Sequence, residues 1–138
     1  MSYLLDTNIL SEARKPFPDE RVLTWLAAQQ LSQTYLSVIS LGELEEGVVS
    51  LGETRRAREL RGWLTQLTEG FRGRILDVDY EVVTMWGRIR AEAKRRGLTP
   101  PAIDALIAAT ALSHDLTLVT RNVADVEMLP VRVFNPWE

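Results

Sequence analysis

Ala102-Ile103-Asp104-Ala105-Leu106-Ile107-Ala108-Ala109-Thr110-Ala111-Leu112-Ser113, followed after His114-Asp115 by Leu116-Thr117-Leu118-Val119-Thr120, is the stretch that decides the fold. The first run is apolar on nearly every side, which predicts a helix sunk between a sheet and its neighbours rather than one resting on the surface. Pro100 and Pro101 suit its start, because a first-turn amide has no intrahelical acceptor anyway. The second run, rich in β-branched and apolar residues, predicts a strand. A buried helix leading directly into a strand is the repeating unit of a parallel sheet covered by helices.

The same alternation extends outward. Tyr3-Leu4-Leu5 predicts a short buried strand ending at Asp6, and Thr7-Asn8 after it favour a turn or helix cap. Asp19-Glu20 open an amphipathic helix with Val22, Leu23, Leu26 and Ala27 at helical spacing, and Thr34–Val38 reads as the next strand. From about Ser40 the apolar residues Leu41, Leu44, Val48 and Leu51 predict a helix stopped by Gly52, with Glu43 in its first turn. A charged helix over 53–69 with Leu60, Trp63, Leu64 and Leu67 on one stripe leads to a strand over 74–78. A helix over 80–96 follows, with Val82, Val83, Trp86, Ile89 and Ala93 inward and Gly97 as its cap. Val131–Phe134 is the last predicted strand. The pattern predicts a three-layer α/β/α sandwich with a mostly parallel central sheet and right-handed crossovers.

With 138 residues, 46% of them hydrophobic, the chain can bury a core of its own, and no repeat or linker divides it, so 1–138 is read as one domain. The absence of cysteine removes disulfides, thiolate metal sites and cysteine nucleophiles. No apolar run approaches the roughly twenty residues that span a bilayer, and a cytoplasmic protein without membrane contact is expected. A net charge of −3 excludes a generally basic nucleic-acid coat protein, but not an enzyme with separate acidic and basic patches.

In open α/β sheets ligands bind beyond the carboxyl ends of the strands. Asp6 ends the first strand, Glu43 opens the helix after the second, and Asn122 and Asp125 follow the strand over 116–120. Asp104, the sole acid of its apolar helix, opens the element that leads into that strand. Each has a plainer reading when taken singly. Asp104 complements a helix dipole, Glu43 answers Ser40 in a capping box, and Asp6 is a helix cap. Together they place several carboxylates at one sheet edge, where they repel one another unless a divalent cation neutralises them. Oxygen-only ligands favour magnesium or manganese over zinc, and such a site suits phosphodiester hydrolysis. A single histidine, His114, is too few for a histidine-pair ribonuclease.

Four segments, Leu4-Leu5-Asp6-Thr7-Asn8-Ile9-Leu10-Ser11, Ser37-Val38-Ile39-Ser40-Leu41-Gly42-Glu43-Leu44, Asp104-Ala105-Leu106-Ile107-Ala108-Ala109-Thr110-Ala111 and Leu118-Val119-Thr120-Arg121-Asn122, resemble in order the motifs of PIN-domain proteins. Within that family they are most similar to the VapC and FitB toxins of bacterial toxin–antitoxin pairs. The resemblance implies a Mg2+- or Mn2+-dependent endoribonuclease acting on RNA and blocked by a cognate VapB- or FitA-like antitoxin. It also implies a homodimer and a toxin–antitoxin hetero-oligomer. It puts the family's acids on Asp6, Glu43 and Asp104, with Asp6 and Asp104 as direct metal ligands and Glu43 binding metal through water or orienting the attacking water. Thr7, Asn8 and Thr120 fall on its polar positions. Where PIN domains often have a fourth acid this chain has Asn122, which leaves Asn122 a water-positioning role and makes Asp125 the candidate fourth acid.

Arg121, beside these residues, is the candidate RNA phosphate contact, whereas the arginines over 55–61 and 88–96 read mainly as solvated helix faces. Trp25, Trp63 and Trp86 read as packing or partner contacts, and His114 as structural. Two other functions compete. A haloacid-dehalogenase-type phosphatase also starts with an Asp after its first strand, but this chain has Asn8 where that family has a second Asp, and no fitting Lys. A non-catalytic PIN-like interaction module is favoured by Asn122 and opposed by Asp6, Glu43 and Asp104.

Overall fold

The computed structural model describes residues 1–138. Its centre is a five-stranded, wholly parallel sheet. In chain order the elements are β1 (Tyr3–Leu5), α1 (Thr7–Glu12), α2 (Glu20–Ala28), β2 (Thr34–Ser37), α3 (Val38–Ser50), α4 (Arg55–Gly70), β3 (Ile75–Leu76), α5 (Tyr80–Arg95), α6 (Ala102–Ser113), β4 (Thr117–Val119), α7 (Val123–Val126) and β5 (Val133–Phe134). A single turn of 3-10 helix, Leu31–Gln33, precedes β2.

Spatially the strands run β3-β2-β1-β4-β5. The chain starts at the centre, moves outward through β2 to β3, then returns across the sheet to β4 on the other side of β1. Side-chain alternation along the central strands divides the core accordingly. Leu5, Leu36 and Val119 point to one face, where they pack with Ile9, Leu10, Val22, Leu44, Val48 and Leu64 from α1 to α4. Leu4 and Leu118 point to the other face and meet Ile107 and Ala111 of α6 and Val126 of α7. Behind them α5 packs on α6 through Val82, Ile89, Ala93, Ala105, Ala108 and Ala109. Reversing direction across the sheet while changing faces keeps one hand of crossover throughout. The reversal occurs between β1 and β4, whose register pairs Leu5 with Val119. The crevice beyond their carboxyl ends is therefore a topological switch point.

The α/β/α sandwich and the apolar helix over 102–113 agree with the sequence reading. Four local expectations need correction. Strand β2 stops at Ser37, and the helix after it starts at Val38 rather than Ser40, because the Ser37 hydroxyl accepts the Ile39 N–H at 3.0 Å and caps it. Glu43 thus lies in the second turn, and no capping box joins it to Ser40, whose buried hydroxyl has no partner. The strand expected over 74–78 contracts to Ile75–Leu76, an edge paired only with β2. The short helix α1 stands where a turn or helix cap was expected after Asp6, and α7 where no element was expected. No helix is long and apolar enough to cross a membrane.

Candidate active site

Beyond Leu5 the chain turns sharply, and Asp6 both ends β1 and caps α1: its Oδ1 accepts the Thr7 N–H at 2.8 Å. The carboxylate is only 7% exposed. Its Oδ2 accepts the Thr120 hydroxyl at 2.8 Å and, more weakly, the Asn8 amide at 3.4 Å. Thr120 ends β4 and is itself buried; its oxygen also accepts from Asn8 Nδ2 at 3.2 Å and from the Asn122 N–H at 3.1 Å. The Asn8 carbonyl oxygen completes the lattice by accepting the Arg121 N–H at 3.3 Å. Asn8 and Thr120 therefore lock together the ends of the two central strands and fix Asp6 between them.

Thr7 reaches the other way. Its hydroxyl donates to Glu43 Oε1 at 2.7 Å, which tethers an exposed side chain on α3 to the first turn of α1. Asp104 approaches from the first turn of α6, half-buried. That turn is itself held from outside: the Trp86 indole N–H donates to the Ala102 carbonyl at 3.1 Å. Trp86 packs against the α5–α6 core as its helical spacing predicts, and its indole N–H adds this bond to the start of α6, which the spacing does not show.

Electrostatics show which acids share the site. The Asp104 carboxyl is pushed above the ordinary aspartate range, first by burial and then by the charges of Asp125, Asp6 and Glu43. Asp125, on α7, is the strongest of the three charged neighbours. The side chain of Asn122 makes no capping bond and is exposed. None of these four carboxylates closes an ion pair, although the chain forms seven elsewhere.

An all-oxygen donor set with uncompensated negative charge fits a hard divalent cation. No three acidic or imidazole side chains yet stand close enough to enclose an ion. The residues converge without forming a finished ligand shell.

The remaining candidates fall outward from this centre. The Arg121 guanidinium lies over the Trp137 ring, 5.2 Å from its centroid. Arg55, Arg61 and Arg95 pair with Glu59, Glu45 and Glu92, as solvated faces do. His114 is exposed at the end of α6. Trp63 packs against the core beneath Arg14, and Trp25 packs between Tyr3 and Phe134.

The PIN domain family profile matches residues 3–124. Toxin FitB of Neisseria gonorrhoeae is 42% identical over 135 residues, covering 97% of each chain. VapC ribonuclease Y4jK of Sinorhizobium fredii is 33% identical over 136 residues, covering 98% of this chain and 97% of its own. The crystal structure of FitAcB from Neisseria gonorrhoeae superimposes with a TM-score of 0.94 at 42% identity, covering 99% of both chains. With that profile spanning Asp6, Glu43 and Asp104 and ending one residue before Asp125, and relatives aligned over nearly their whole length, the chain belongs to the PIN domain family.

Proposed function

We propose that this chain is a metal-dependent endoribonuclease and the toxin of a toxin–antitoxin pair, working as one unit over residues 1–138. One observation carries the reading: Asp104 is loaded by burial and by Asp125, Asp6 and Glu43, while no cation of the protein pairs with any of the four. Family membership supports it, since named relatives are a toxin and a ribonuclease. It also displaces the phosphatase alternative.

Asp6, Glu43 and Asp104 would hold the cation, and magnesium or manganese suits their oxygens best. When bound, that ion supplies positive charge to the scissile phosphate and acidity to the attacking water. The protein's own groups do the rest. Thr120, Asn8 and the Thr7 N–H keep Asp6 in one orientation. Thr7 holds Glu43 by Oε1 alone, leaving Oε2 free to orient the water and take its proton. Asp125 adds charge as the fourth acid, and the unbonded Asn122 side chain is free to position water. The partner inferred from family membership is an antitoxin covering this groove, on a homodimer of the toxin.

The test is incubation of purified protein with transfer, ribosomal and messenger RNA in magnesium or manganese, with p-nitrophenyl phosphate alongside. RNA cleavage without phosphate-ester turnover supports the reading. Neither activity under any condition points to a binding module instead.

A further inference from the structure

Four arginines lie over aromatic rings: Arg14 on Trp63, Arg74 on Phe71, Arg90 on Trp86 and Arg121 on Trp137. Only Arg121 follows directly on a residue of the carboxylate lattice, and its own N–H is tied into that lattice through Asn8. Its guanidinium donates no hydrogen bond and closes no ion pair, so the donor fork stays unspent. The two nearby carboxylates that feel its charge, Glu12 and Asp19, are already engaged by Lys15 and Arg21.

The ring beneath it is unusually fixed. Trp137 is 6% exposed, packed in the main core cluster with Leu5, Ile9, Leu10, Val22 and Val119. Its backbone N–H donates to Asn135 Oδ1 at 2.9 Å, which closes a local turn in the chain that carries the ring. A rigid ring that leaves one face to a cation holds an otherwise mobile side chain in place without consuming its hydrogen-bond donors.

Resting on the ribonuclease reading above, we propose that Arg121 is an RNA phosphate contact flanking the carboxylate site and that Trp137 is the positioning residue that presents its guanidinium. A strand whose scissile phosphate sits among the carboxylates must leave the crevice past a neighbouring strand end, and Arg121 stands at the end of β4. A planar fork matches a phosphate's paired oxygens. Arg121 then acts on binding of the strand, not on the chemical step.

The test uses the full chain carrying Asp104→Asn, so that labelled RNA is bound without being cut. Arg121→Ala should lower the slope of log affinity against log salt by about 0.7, the value for one single-strand phosphate. Trp137→Leu should weaken binding about two- to fivefold, the equivalent of an exposed cation–π contact, with Trp137→Phe in between. Neither Trp137 change should weaken binding further once Arg121 is Ala. In the otherwise unmodified enzyme the loss should fall on KM rather than kcat. If Trp137→Leu fails to fold, the smaller Trp137→Phe effect and its disappearance in the Arg121→Ala background make the same decision. An unchanged salt slope, or Trp137 effects that persist without Arg121, overturn the proposal. Failure of the wild-type chain to cut any RNA in magnesium or manganese would instead overturn the ribonuclease reading.

Discussion

Asp104 sits where an uncharged residue would be more stable. Its carboxyl binds a proton more tightly in the folded chain than in the unfolded one, because of burial first and then Asp125, Asp6 and Glu43. In the metal-free protein its contribution to stability is therefore fullest below the ordinary aspartate range and is lost as pH rises through the raised value. We expect Asp104→Asn to melt at a higher temperature than wild type at neutral pH in chelator, with the gap closing below about pH 4. Thermal melts across pH would show this; a variant less stable than wild type at neutral pH would contradict it. Thr120 makes the opposite case. Thr120→Val should cost about 1–3 kcal/mol in urea unfolding, since it leaves Asp6 Oδ2 and the Asn122 N–H without their partner. It should also depress activity by freeing Asp6.

At the level of elements, the junction between β2 and α3 gives the sharpest contrast. Ser37 caps the helix, whereas Ser40 lies buried inside it without a hydrogen-bond partner. Ser37→Ala should cost about 1 kcal/mol, the usual value of a lost cap, and Ser40→Ala should be neutral or stabilising. The reverse order would mean that the helix starts where its sequence suggests. Thr34-Tyr35-Leu36-Ser37-Val38 reads as strand to its end because β-branched residues favour extended backbone, whereas the Ser37 cap starts the helix at Val38. Long segments were legible: α5 by its repeating apolar stripe and α6 by being apolar on nearly every side. The six residues of α1 and four of α7 are too short to show a period. Edge strands β3 and β5 pair on one side only and are shorter than the strands predicted over 74–78 and 131–134.

For the whole molecule, the switch point between β1 and β4 explains why residues far apart in sequence share one site. Asp6, Glu43 and Asp104 were legible as acids next to strand ends. Asp125 was legible as the candidate fourth acid after the strand over 116–120, but not that its charge would be the strongest acting on Asp104, because that depends on where the four-residue α7 stands relative to α6. The same convergence predicts a linkage between metal and stability. Manganese or magnesium at about a hundred times its dissociation constant should stabilise the wild-type chain by about 2.7 kcal/mol, and Asp6→Asn should lose most of that gain. A melting temperature unmoved by either ion would count against a cation among these carboxylates.

The most direct test of the account is RNA cleavage by the wild-type chain, Asp6→Asn and Asp104→Asn, each with chelator and with magnesium or manganese. We predict cleavage by wild type only with metal, and none by either variant, although both remain folded. Cleavage that persists in chelator, or survives in both variants, would contradict the claim that these carboxylates act through a bound cation.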